Sequence, residues 1–196
     1  MSNISNLFFK YRSYTPVPFL IIMLVFQKAD LISIAVGLII ALIGESFRLW
    51  GVCYAGSETR TTGSVGGTYL VVSGAFSYLR NPLYFGNILI YLGIGIMSMA
   101  LFPYLQIVAL AFFFIQYHFI INEEEKYLQK TFGQEYSDYK KNVPRLFPKF
   151  TPYKNESIQQ PPLNIKAGMQ SEKRTLQAFG IVTLILILLY IFEIGL

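Results

Sequence analysis

Two short motifs in this 196-residue chain combine side chains that could bind a charged ligand. In the first, residues 80–86, an arginine, an asparagine, a proline and a tyrosine come at the start of a long apolar stretch. In the second, residues 123–125, three consecutive carboxylates follow another apolar stretch. Asparagine caps a helix by accepting from a free backbone N–H, and proline suits the first helical position. We therefore expect Asn81 to cap a helix that begins at Pro82.

Among the three acidic residues, Glu124 is the strongest candidate for ligand binding. It lies on the helical face of Tyr117 and Leu128, which directs it into a helix bundle. A carboxylate suits the hydroxyl or ammonium groups of a polar ligand, and ionisable residues in or near a membrane are functional candidates. For Glu123 and Glu125, a solvated helix end is an equally good interpretation.

Two arginines are candidates for holding an anionic group of a substrate. Arg145 follows a proline, which fixes φ and limits how far the arginine moves, and Arg80 precedes the first motif. Lipid headgroups are the alternative partner for both. Glu45 and Arg48 are three residues apart, so we expect a local ion pair, with contact to a substrate headgroup as the alternative.

The composition places these motifs in a membrane protein. Hydrophobic residues make up 54% of the chain and charged residues 14%, whereas about 25% charge is usual for soluble domains. This excludes an ordinary water-soluble enzyme, a secreted disulfide scaffold and a disordered chain. The single cysteine, Cys53, is expected to be a packed thiol, and with His118 as the only histidine we expect no metal site.

The apolar segments predict an all-α integral membrane protein with about five membrane-spanning helices in a single domain. A cytoplasmic interfacial segment over 122–150, interrupted near Gly133, is expected to form part of the cofactor site, and 151–174 is expected to be a linker. The first apolar segment is short and could instead be re-entrant or interfacial. The predicted spans are 16–27, 31–55, 82–101, 103–121 and 175–194.

The charge distribution gives the orientation. With five spans, every lysine and arginine except Lys28 falls on one side, and the positive-inside rule makes that side the cytoplasm. The N-terminus and both motifs then face the cytoplasm, and topology explains the basic excess without nucleic-acid binding. The glycine-rich connection over 56–80 lies on the same side and could approach a ligand or be a flexible loop.

Three motifs, in order and with matching spacing over about 68–148, resemble the isoprenylcysteine carboxyl methyltransferase family, whose near relatives are the phospholipid methyltransferases. The resemblance implies a helical membrane enzyme without a Rossmann domain that uses S-adenosylmethionine to methylate a lipophilic, membrane-embedded acceptor. The motifs are Tyr78-x-Arg80-Asn81-Pro82-Leu83-Tyr84-x-Gly86, Glu123-Glu124-Glu125-x-x-Leu128-x-x-x-Phe132-Gly133-x-x-Tyr136-x-x-Tyr139 and Val143-Pro144-Arg145-x-x-Pro148.

The resemblance also implies which residues bind the cofactor and where this chain departs from the family. Asn81, Phe76 and Thr68 replace a histidine, a tyrosine and a histidine of the family. The arginine that contacts substrate in eukaryotic members falls at Ile120, which counts against a prenylcysteine carboxylate substrate. The cofactor-binding residues carried over are Tyr69, Leu70, Val71, Phe76, Asn81, Pro82, Leu83, Tyr84 and Glu124.

The sequence leaves open whether an oxygen, a nitrogen or a sulfur atom of the substrate accepts the methyl group. Methylation of an isoprenylcysteine carboxylate is the first hypothesis, and N-methylation of a phospholipid or S-methylation of a thiol are alternatives with the same fold. From other classes, a steroid-reductase-like enzyme using NADPH shares the arginine–asparagine–proline–tyrosine element, and a non-catalytic scaffold is also possible. The acidic run followed by Phe132 and Gly133 favours the methyltransferase. The lack of an organelle signal favours a prokaryotic inner membrane over the endoplasmic reticulum, and the oligomeric state is not predicted.

Overall fold

A computed structural model describes residues 3–56 and 69–192 and shows six α-helices in that part of the chain. A 3₁₀ turn, Gly74–Ser77, precedes the fourth helix, and the described residues contain no strand. Thr68 and most of the glycine-rich connection lie outside the described residues. The helices are α1 (Asn3–Tyr11), α2 (Pro16–Val25), α3 (Leu31–Ala55), α4 (Pro82–Ser98), α5 (Tyr104–Asn142) and α6 (Ile165–Ile191).

The chain is an all-α membrane protein, as predicted. Helices α3, α5 and α6 are long and apolar enough to cross a bilayer, and α2 and α4 are shorter apolar helices. Helix α4 ends at Ser98, before the predicted 101, and Met99 adopts a left-handed conformation. Helix α6 begins at Ile165, well before the predicted 175, because the Asn164 side chain caps its first turn by accepting from the Ala167 N–H.

Helix α5 joins two segments that the sequence analysis treats separately. Its 39 residues rise about 58 Å at 1.5 Å per residue, about twice the hydrocarbon core of a bilayer. Its apolar part, 104–121, therefore continues directly into a polar part, 122–142, that extends beyond the apolar core. The predicted interruption is confirmed, since Gly133 has φ +51° and ψ −116°, a conformation that favours glycine.

Glycines bring the backbones of α3 and α4 into direct contact. A Cβ atom added to Gly44 would lie 2.6 Å from the carbonyl oxygen of Gly86, and one added to Gly93 would lie 2.5 Å from that of Gly37. Small residues allow such close approach of membrane helices. At Gly86 and Gly93 the small residue therefore serves helix packing, since the backbone of α3 fills the space beside each of them.

Helix α6 packs against α3 mainly through its polar first half. A Cβ on Gly168 would lie 2.5 Å from the Cys53 sulfur, and the Asn164 N–H donates to the Cys53 carbonyl at 2.8 Å. Deeper in the bundle, Arg48 binds Glu172 at 2.7 Å. Cys53 is a buried free thiol, as expected. These contacts, together with those of Pro82 and Leu83 on Gly51 of α3, place the end of α3, the beginning of α4 and the beginning of α6 together, at what we call the polar end of the bundle.

We expect Gly44→Ala or Gly93→Ala to destabilise the fold by about 1–3 kcal/mol, the usual cost of overpacking. Each new methyl group would press on the backbone of the facing helix. Thermal unfolding in detergent, followed by circular dichroism, measures the effect.

Gly180→Ala is the matched control, because nothing lies within 4 Å of an added Cβ there. It should be neutral or slightly stabilising, since alanine is the better helix former. Equal unfolding temperatures for all three variants would show that the glycine contacts between α3 and α4 do not matter.

Candidate functional site

The first motif starts α4, but Asn81 does not cap the helix as predicted. Pro82 occupies the first turn, and the Asn81 side chain makes no capping hydrogen bond. Its amide instead donates to the Arg145 carbonyl at 3.0 Å. That carbonyl is within reach because the chain after α5 returns alongside the 3₁₀ turn, where Arg80 N–H donates to the Pro144 carbonyl at 2.8 Å.

Tyr84 and Glu124 meet between α4 and α5. The Tyr84 hydroxyl donates to Oε1 of Glu124 at 2.6 Å. The Tyr84 ring lies against the Tyr117 ring, with centroids 4.8 Å apart. The predicted direction of Glu124, into the bundle, agrees with this contact. The result is a carboxylate and two aromatic rings on the inner surface of the bundle at its polar end.

The environment of Glu124 penalises its negative charge. Burial raises the pKa of this carboxyl to about 7, although the Tyr84 hydroxyl and the positive charge of Arg12 both lower it. An opposite charge placed beside a desolvated carboxylate favours its ionised form. The position therefore suits a cationic group of a ligand.

Glu125, the next residue, points to a different group of partners. Its Oε1 accepts from Arg80 at 3.0 Å, and its Oε2 accepts from Arg145 at 3.0 Å. Lys140 Nζ lies 3.6 Å from the same Oε2. Burial works against the charge of Glu125, but Arg145 and Arg80 outweigh it and hold the pKa of this carboxyl below its ordinary 4.5. The solvated alternative for Glu125 is therefore wrong.

The two candidate arginines differ in how much of each guanidinium is already bonded. Every side-chain nitrogen of Arg80 donates within the protein, to Glu125 and to the carbonyls of Lys140 and Val143 at 2.8 and 2.7 Å. Arg145 donates through Nε and Nη2 to Glu125 and Asn122, and its side chain is 28% exposed. Arg145 is thus the more accessible cation.

The residues carried over for the cofactor fall into separate groups. Tyr84 and Glu124 face α5, while Phe76, Pro82 and Leu83 approach Gly51 of α3 within 3.6 Å of its added Cβ.

The upstream part of the set packs against the second half of α5. Leu70 packs in a buried cluster with Tyr136 and Tyr139, and its carbonyl accepts from the Gln160 amide at 3.0 Å. Val71 is half-buried beside it and Tyr69 is exposed. Of the implied cofactor set, Tyr84 and Glu124 are the two whose side chains are hydrogen-bonded to each other.

Two further arginines lie near the site and have partners that the sequence did not reveal. Arg48 is buried and donates to the Asn87 side chain as well as to Glu172. Its predicted pair with Glu45 is present at 3.7 Å, but Glu172 is the closer partner. Arg12 comes near Glu124 because α1 packs on α5. Helical spacing could not reveal either contact, since each joins residues far apart in the chain.

No group of three or more histidine, cysteine, aspartate or glutamate side chains is arranged to hold a metal ion in the described part of the chain.

Comparisons with known proteins agree on part of this picture. A family model described as phospholipid methyltransferase matches residues 32–135. Cobalt-zinc-cadmium resistance protein CzcN of Cupriavidus metallidurans is 34% identical over 121 residues, 62% of this chain and 50% of that protein. Nickel-cobalt-cadmium resistance protein NccN of Alcaligenes xylosoxydans xylosoxydans is 31% identical over 121 residues, 62% and 51% of the two chains. The match thus spans about half the length of these curated relatives. No solved structure gives a significant match.

We expect Glu125→Gln to destabilise the polar end, because it leaves Arg80 and Arg145 without their counter-charge. Removing one partner of a buried ion pair costs about 3–5 kcal/mol, and the partial exposure of Arg145 and Lys140 puts the effect at or below the lower limit. Thermal unfolding of the wild type, Glu125→Gln and the exposed control Glu135→Gln measures it.

The pH dependence provides a second test. Since folding lowers the pKa of Glu125, its contribution is complete above the ordinary value of 4.5 and is lost as pH falls through the lower folded value. The stability gap between wild type and Glu125→Gln should therefore narrow in acid. A gap that stays constant from neutral pH to pH ~3 would contradict this account of the ion-pair cluster.

Proposed function

Because the chain belongs to the phospholipid methyltransferase family, we propose that it is an enzyme that transfers a methyl group from S-adenosylmethionine to a lipophilic acceptor in the membrane. The matched residues, 32–135, include α4 and both partners of the Tyr84–Glu124 hydrogen bond. That pair is the observation that carries the proposal. It provides a desolvated carboxylate beside aromatic rings, where a cationic cofactor would be favoured.

The residues present fit this cofactor. S-adenosylmethionine, when bound, supplies a methyl group activated on a positively charged sulfur. Glu124 would offset positive charge of the cofactor, and Tyr84 and Tyr117 would offer aromatic faces to it. Pro82 and Leu83, at the start of α4, would limit the access of water from the α3 side. A dry, aligned site is what methyl transfer to an anionic nucleophile requires most.

For the acceptor, we propose a molecule with an apolar tail and a polar group at the level of the polar end. Methylation of an isoprenylcysteine carboxylate remains the first hypothesis, with a phospholipid amine or a thiol as alternatives. Ile120, which stands where eukaryotic relatives have a substrate arginine, is only 1% exposed and packs beside Phe113 and Ile121. Arg145 is therefore the cation that we assign to an anionic acceptor, and we assign Arg80 to positioning rather than to substrate contact.

We further propose that the site opens to the cytoplasm and that the protein lies in a prokaryotic inner membrane. The basic excess on one side of the predicted spans supports this orientation. A soluble cofactor made in the cytosol would then reach Glu124 without crossing the bilayer.

Isothermal titration calorimetry of the full chain in detergent tests the cofactor. Binding of S-adenosylmethionine, with no binding of NADPH, would support the methyltransferase. Binding of NADPH alone would support the steroid-reductase-like alternative, and binding of neither would favour a non-catalytic scaffold.

We expect Glu124→Gln to weaken S-adenosylmethionine binding by roughly tenfold or more, because a charge-assisted contact of about 1.5–3 kcal/mol is lost. Wild-type affinity should rise as pH increases through about 7, since a cationic ligand favours the ionised carboxylate. The variant should lose this pH dependence. Calorimetry between pH ~6 and ~8 measures both effects.

The control is Glu135→Gln, which removes an exposed carboxylate from the same helix. It should bind the cofactor as the wild type does, with the same pH dependence. If both variants bind equally well, Glu124 does not take part in cofactor binding.

We expect Arg145→Ala to leave cofactor affinity within about threefold, under ~0.7 kcal/mol, while methyl transfer falls by at least about tenfold, or ~1.4 kcal/mol in the barrier. Arg145→Lys should restore part of the rate, because lysine keeps the charge but loses the planar bidentate contact. Transfer of a radiolabelled methyl group to a farnesylcysteine, phosphatidylethanolamine or a long-chain thiol provides the assay.

Arg145 also bonds Glu125, so stability must be measured on the same variants. A parallel fall in unfolding temperature, cofactor affinity and rate would indicate a purely structural role. Unchanged transfer in Arg145→Ala would exclude the proposed contact with the acceptor.

A further inference from the structure

The chain after α5 exposes apolar side chains that no part of the described protein covers. Phe150 is fully exposed and Phe147 is 69% exposed. Leu163 and Ile165, at the start of α6, are also more than half exposed. We call residues 147–166 the basic apolar rim. Aromatic and aliphatic groups left in water lose the stabilisation that burial of apolar surface provides.

Backbone hydrogen bonds fix the level of this rim along the bundle. Lys149 N–H donates to the Tyr78 carbonyl at 3.0 Å, and Tyr153 N–H donates to the Ser77 carbonyl at 2.9 Å. Its other end is held where the Asn164 N–H donates to the carbonyl of Cys53. The rim therefore lies beside the last turn of α3 and the 3₁₀ turn that precedes α4.

At the level of the rim, α3 passes from the hydrocarbon core of the bilayer into the headgroup region. Helix α3 is apolar enough to cross a bilayer and ends at Ala55, so its last turn lies close to the lipid headgroups. Trp50, 40% exposed, and Tyr54 occupy the same part of α3, as expected of an aromatic belt at the interface. Phe147 and Phe150 lie on either side of Lys149, whose backbone is bonded to the Tyr78 carbonyl, and the Tyr78 ring contacts the Trp50 ring with centroids 5.5 Å apart.

The charges of the rim point to the kind of lipid. Within 147–166 the chain carries Lys149, Lys154 and Lys166 against one acid, Glu156. Lys154 and Lys166 are exposed, and Lys173 and Arg174 follow on the next turns of α6. Clustered basic residues at a bilayer surface are attracted to anionic headgroups.

We propose that the basic apolar rim inserts Phe147 and Phe150 into the headgroup region of a bilayer that contains anionic phospholipid. This inference does not depend on the proposed enzymatic activity. Its position nevertheless matters for the site, because Arg145 lies two residues before Phe147 and is bonded to Glu125. Lipid held by the rim would lie directly beside the candidate site.

Site-directed spin labelling of the full chain tests the proposal. Cys53→Ser removes the single, buried cysteine, and a cysteine then replaces the fully exposed Phe150. Gln134→Cys, in the polar part of α5, is the aqueous control, and Ile107→Cys, exposed on its apolar part, is the lipid control. The label's collisions with oxygen, which concentrates in lipid, are compared with those of a water-soluble nickel chelate.

In nanodiscs containing phosphatidylglycerol, we expect the label at 150 to shift from the value at 134 towards the value at 107. In nanodiscs of phosphatidylcholine alone, its exposure to the nickel chelate should increase. Nickel accessibility equal to that at 134 in both lipids would overturn insertion, and equal insertion in both would overturn the anionic preference. Strong dipolar coupling between labels would instead show that a second copy of the chain covers the rim.

Discussion

The carboxylate of Glu125 is the interaction on which the polar end of the molecule depends. Arg80 comes from the turn before α4, Lys140 from the last turns of α5, and Arg145 from the chain that follows α5. One desolvated negative charge thus joins the turn before α4 to the last turns of α5 and to the chain that follows them. Glu124, one residue earlier, faces a different side of the helix, about 100° away, where it meets Tyr84. Adjacent carboxylates on one helix therefore have separate partners, three cations for Glu125 and the Tyr84 hydroxyl for Glu124.

The close packing of α3 against α4 fixes the position of Tyr84. Because the backbones touch at Gly44 and Gly86, α4 has little room to slide or rotate against α3. Arg48 of α3 donates to the Asn87 side chain, about one turn after Tyr84 in α4. It also donates to Glu172 of α6. The direction of the Tyr84 hydroxyl is consequently set by helix packing rather than by a mobile loop. Such rigidity is what a binding site for an aligned reaction requires.

The sequence predicted the features that depend on local rules and missed those that depend on distant partners. Apolar length predicted the membrane helices, helical spacing predicted the direction of Glu124, and glycine predicted the break at residue 133. The same local rules predicted a cap at Asn81, but a carbonyl 64 residues further along the chain takes its amide instead. The Arg48–Glu172 pair, 124 residues apart, follows no local pattern. This buried ion pair anchors the polar first half of α6, whose first turn is capped by Asn164.

The continuity of α5 has a mechanical consequence. Helical geometry is unbroken from Tyr104 to the residue before Gly133, so the part of α5 in the hydrocarbon and the part that carries Glu124 and Glu125 form one stiff rod. A bilayer that is thinner than the apolar part of such a rod makes it tilt. Tilting would displace both carboxylates together, in proportion to their distance from the bilayer centre. The thickness of the bilayer would therefore change the distance and angle between α5 and α4 at the level of the two carboxylates.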